Sequence, residues 1–64
     1  ASAVDVLKQA TELYASSADA HAKYAEACLA AGQREAAVQA STRAIALDPY
    51  HTSARETLRW ANGH

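Results

Sequence analysis

The chain has 64 residues, a formal charge of −1 and an apolar fraction of 50%, yet eighteen residues are alanine and only nine are Val, Leu or Ile. Lys and Arg are scattered with no basic excess, which excludes the electrostatic footprint of a nucleic-acid binder, and no apolar run approaches the roughly 18 residues of a membrane span. With burial of a large aliphatic side chain worth roughly 1.5–3 kcal/mol, so thin a core leaves a lone domain of this size near the limit of stability, and the chain is expected to want neighbours.

The single cysteine, Cys28, excludes an internal disulfide framework, cannot build a zinc site alone and reads as a buried small hydrophobe. The N-terminus lacks the basic and apolar regions of a signal peptide, and a chain opening on Ala1 rather than methionine is expected to be a piece or processed form of a longer one. The compartment is not encoded; a soluble chain, with the cytoplasm favoured, is the expectation.

Ala, Leu, Gln, Glu, Lys and Arg dominate, and no β-branched run is bounded by turn residues, so the class is all-α. The breaks at Ser16-Ser17, Gly32, Asp48-Pro49 and Asn62-Gly63 divide the chain into four helices. The first, about 3–15, carries Ala3, Val4, Leu7, Ala10 and Leu13 on one face and starts at Ser2 with Asp5 three residues on, as in a capping box. Its charges are mixed, which suits a core helix better than a lipid-facing one.

The second, about 18–31, follows the Ser16-Ser17 cap, places Asp19 where the helix dipole favours an anion and ends at Gly32. Its inward stripe is expected at Ala20, Tyr24, Ala27, Cys28 and Ala31. The third, about 34–47, presents Ala37, Val38, Ala40, Ala44, Ile45 and Leu47 and is stopped by Pro49, which has no donor and biases Asp48 away from helical geometry. The fourth is expected to start near Ser53, with Glu56 completing a capping box, and to run through Leu58 and Ala61 to Gly63. Short helices with short connections fold back as antiparallel neighbours, and abundant alanine lets their axes approach.

Sliding the chain by 34 aligns Ala3 with Ala37, Val4 with Val38, Ala10 with Ala44, Leu13 with Leu47, Ala20 with Ala54 and Ala27 with Ala61. A 34-residue period of two helices, with turn signals between apolar stripes, marks one solenoid family. On these residues the chain resembles the tetratricopeptide repeat: Gly32 falls at the inter-helix turn, Ala37 and Ala44 at the two small positions of the second helix, and Leu47-Asp48-Pro49 at its end. Five signature positions depart, with His21, Tyr24, Ala25, Cys28 and Ser41 in place of the family's Trp, Leu, Gly, Tyr and Phe.

The resemblance implies one helical domain over 1–64: residues 1–17 as the second helix of a preceding repeat, 18–51 as one complete repeat, and 52–64 as a following or capping helix of a right-handed superhelix. It also implies that the first helix of each repeat lines a concave, peptide-binding groove, here with Asp19, Ala22, Glu26, Leu29 and Ala30, joined by Ser53, Glu56 and Trp60. Of these, Asp19, Glu26, Leu29, Glu56 and Trp60 are the candidate partner-binding residues. Glu26, Glu56 and Trp60 suit a basic or amphipathic segment; the alternative is that both glutamates are simply solvated and Trp60 covers the open end of the core. The basic clamp with which some members hold chaperone tails is missing, since Ala22 and Glu26 occupy its positions.

No catalytic, cofactor-binding or metal site is expected. His21 and Cys28, seven residues apart, are separated by about 10.5 Å along a helix, too far for a thiolate–imidazole pair. His51 in the loop after Pro49 has no second ligand near it in sequence, His64 ends the chain, and Tyr50 is expected to pack across the turn. The function expected is a non-catalytic protein-interaction module whose partner is a protein or peptide segment, not nucleic acid or membrane. The alternative is a homo-oligomerisation domain, because a solenoid usually needs three or more repeats and something must cover the ends. A helical appendage that orients an enzyme is a third class.

Overall fold

The computed structural model describes residues 3–63 and is all-helical: α1 spans Ala3–Leu13, α2 Ala18–Ala30, α3 Arg34–Leu47 and α4 Thr52–Gly63, with no strand among the described residues. The expected start at Ser2 and the terminal His64 lie outside the described residues. Ser17 caps α2, its Oγ accepting from the Ala20 N–H at 3.2 Å. At the other end Gly32 takes φ +81°, its N–H donates to the Leu29 carbonyl, and the Gln33 N–H donates to that of Cys28. That pair of bonds is a Schellman motif, which a left-handed glycine closes without a Cβ penalty.

The third helix ends where proline forces it to. Asp48 is extended at φ −144°, ψ 96°, its carbonyl accepts from the His51 N–H at 3.1 Å, and its Oδ1 accepts from the Tyr50 N–H at 3.1 Å. An Asx turn and a β-turn with proline at its second position thereby reverse the chain within four residues. Tyr50 does not pack across this turn; it is 85% exposed, because the turn closes through the backbone and the Asp48 side chain.

The start of α4 also differs from expectation. The helix begins at Thr52, and its cap is His51, whose Nδ1 accepts from the Ala54 N–H at 3.2 Å. Ser53 lies inside the first turn, and the Ser53–Glu56 capping box does not form; the Ser53 carbonyl instead accepts from the Thr57 hydroxyl. The turn ends at His51, so the first orphan donors fall within reach of its ring.

At the level of backbone packing α2 contacts all three other helices, α3 contacts α2 and α4, and α1 contacts α2 alone. Two small clusters form the centre. Ala22, Ala44 and Ala54 meet in one, and Cys28, Ala37 and Ala61 in the other, so each joins α2, α3 and α4 through three small side chains. Helix separation follows the size of the contacting side chains, and alanine permits this three-way approach.

Because α2 is covered from several sides, its buried set is His21, Ala22, Ala25 and Cys28, turned from the one-sided stripe expected. Ala20, Tyr24 and Ala27 are half-buried and Ala31 is exposed. In α3, Ala37, Ala40 and Ala44 are buried as expected, Val38 and Ile45 are half-buried, Leu47 is exposed, and Ser41 joins the core. The first helix has no buried residue: Val4, Leu7, Ala10 and Thr11 are half-covered, while Leu13 is 77% exposed. The core helix expected there is covered on one side only.

Candidate functional site

The side of α2 that faces α4 supplies Glu26, Leu29 and Ala30, spaced by three and four residues and therefore on one helical face. Ser53, Glu56, Thr57 and Trp60 do the same from α4, and the two rows enclose a groove of about 360 Å³. Leu29 packs on the Cys28 cluster and anchors the floor. Trp60 is 56% exposed, and both glutamates are exposed. Thr57 is buried with its hydroxyl donated to its own helix. The lining thus holds two carboxylates, an indole and a leucine, without a cation.

Four of the five candidate residues come together here. Asp19 does not line the groove: it lies two helical turns before Glu26, about 10.5 Å along the axis, and pairs with His51 at 2.5 Å. The hydrogen bond with His51 is the main cause that holds the Asp19 carboxyl below its usual range. With Nδ1 of His51 accepting from Ala54, the ring carries its proton on Nε2 and donates it to Asp19. One imidazole therefore caps α4 and ties it to the first turn of α2. Ala22, also expected on the groove, is buried at the α2–α3–α4 junction.

The residues with reactive chemistry are occupied structurally. His21 is buried, and its Nε2 lies 2.9 Å from the Ala15 carbonyl, bridging the α1–α2 turn. Cys28 is a buried free thiol. The Tyr24 phenol is pushed up, first by its hydrogen bond with Cys28 and then by burial. Among the described residues no three His, Cys, Asp or Glu side chains gather as metal ligands, and no helix is long and apolar enough to cross a membrane.

Sequence reasoning missed His51 and Ser41. A signal for His51 was present: it stands 34 residues after Ser17, and both cap the helix that follows. Ser41 is fully buried and its hydroxyl has no hydrogen-bond partner; the signal for its burial was its place where the resembled family carries Phe. Comparison of the chain with protein-family models, with curated proteins and with solved structures finds no match.

Proposed function

We propose that the chain is a non-catalytic protein-interaction module, a fragment of a tetratricopeptide-like array whose α2–α4 groove receives a segment of another protein. The convergence of Glu26, Leu29, Glu56 and Trp60 on one groove carries this reading. Paired carboxylates beside an indole and a leucine complement a segment with a Lys or Arg next to a large apolar side chain. The cation gains from both carboxylates and from the indole face, and the apolar group from Leu29. Supporting the repeat architecture, α2 packs on both α3 and α4, and α3 on α4, the order in which successive hairpins nest.

Trp60 is the only tryptophan, so its fluorescence reports occupancy directly. Twelve-residue peptides with Lys or Arg flanking Leu or Phe, and matched peptides with Glu in place of the basic residues, are to be titrated against the chain. The basic set is expected to shift Trp60 emission to the blue, and Glu26→Lys with Glu56→Lys to weaken binding at least about tenfold, the factor set by roughly 1.4 kcal/mol. Equal response to the acidic set, or binding unaffected by the double substitution, contradicts the proposal.

A further inference from the structure

We infer that a second groove, on the opposite side of α2 from the first and opposite to it in charge, receives a carboxylate side chain of a partner protein between Arg43 and the uncommitted nitrogen of His21. The groove exists because α1 and α3 both pack on α2 but not on each other. Thr11 of α1 stands on one side, Gln39, Ala40 and Arg43 of α3 on the other, and His21 and Tyr24 of α2 lie between, around a space of about 300 Å³. At about 100° per residue, His21 and Tyr24 point away from Glu26, Leu29 and Ala30, which line the first groove. The second groove lies between three helices of the chain rather than on the outer face of its first or last one.

Two observations make it a place for an anion. His21 is only 8% exposed, and its Nε2 is committed to the Ala15 carbonyl at 2.9 Å, so that nitrogen carries the proton. Its Nδ1 makes no hydrogen bond within the protein and is not sealed from solvent. A nearly buried ring therefore keeps one polar atom for something outside the chain. The second observation is charge. Arg43 is the only permanently charged side chain on the lining; it is exposed and forms no salt bridge among the described residues. The Tyr24 hydroxyl is engaged with Cys28, which leaves its ring to flank the stem of an incoming side chain.

A guanidinium offers a planar fork matched to one carboxylate, and one fixed positive charge balances one negative charge. Nδ1 of a neutral imidazole accepts, as a carboxylate does, so seating the anion against it brings one proton from solvent onto Nδ1. The imidazolium then donates through Nε2 to Ala15 and through Nδ1 to the ligand, in a site where little water screens the attraction. The other titratable groups on the lining are Tyr24 of α2 and Arg43 of α3, and α1 contributes Thr11 alone. Neither a tyrosine nor an arginine changes charge between about pH 5 and pH 8.

The test titrates the isotope-labelled chain, followed by NMR, with a short blocked peptide carrying one Glu among alanines, with its Gln counterpart and with sodium phosphate. The Glu peptide is expected to shift the His21 ring and Arg43 side-chain signals together and to leave Trp60 emission unchanged, because that indole lines the other groove. It is expected to bind at least about tenfold more tightly at about pH 5.5 than at about pH 8, since a histidine titrates between them while the peptide carboxylate stays ionised. Arg43→Gln, at an exposed position, is expected to weaken binding at least about tenfold. An equal response to the Gln peptide, an affinity that does not change with pH, or binding unaffected by Arg43→Gln overturns the inference. So does a Trp60 response to the Glu peptide, which assigns the carboxylate to the first groove, and so does tighter binding of phosphate, which assigns the site to a different anion.

Discussion

The first and third helices stand 34 residues apart and share alanines at matching places, yet the third buries them and the first leaves them half-bare. Ala37 and Ala44 have no exposed surface, whereas Ala3 is exposed and Ala10 half-covered. Residue type does not separate them; the number of neighbouring helices does. Among these packed helices local sequence sets the shape of each helix, and the company on either side sets how much of that shape is turned into stability.

Substitutions at paired positions sharpen this contrast. Ala44→Leu forces three extra carbons into the Ala22–Ala54 contact and is expected to cost about 1–3 kcal/mol. Ala10→Leu, on the half-covered helix, is expected to cost well under that. Thermal melts of the two variants compare them directly, and equal losses break the comparison. Gly32→Ala tests the turn that joins α2 to α3: space is open around a new Cβ, so the expected loss of about 1–2 kcal/mol comes from the left-handed backbone alone.

His51→Ala removes the α4 cap and is expected to cost about 1 kcal/mol, near Ser17→Ala at the matching place. It is also expected to let the Asp19 carboxyl rise toward 3.8, its ordinary value, measured by NMR titration. Because that group is depressed when folded, its contribution is present above pH 3.8 and is lost as pH falls through the lowered value. Ser41→Ala deletes a buried hydroxyl without a partner and is expected to raise stability by up to about 1 kcal/mol. The smallest effect is expected at Leu13→Gln, within about 0.5 kcal/mol, since the site is open to water.

Much of the fold was readable from composition and punctuation. Ser17, Gly32 and Pro49 act through their own backbone and side-chain chemistry, and the structure places all three where that chemistry requires. The identity of the α4 cap was harder, because serine followed three residues later by glutamate is a strong local signal. A histidine acquires the role only when the preceding Asp48 turn delivers its ring to the helix start. The buried stripe of α2 was misjudged for a related reason: a helix with neighbours on several sides has no single inward face for periodicity to detect. Glu26, Glu56 and Trp60 were read as one patch from the repeat register and, with Leu29, line one groove, whereas the pairing of Asp19 with His51 spans 32 residues and left no local trace.

Native-state amide hydrogen exchange on the unmodified chain tests the central contrast most directly. If coverage by neighbouring helices determines stability along the chain, the amides of α2 and α3 exchange only through global opening, and those of Leu7–Leu13 open at least about tenfold more often. Protection in α1 equal to that in α3, at a concentration where the chain is monomeric, contradicts it.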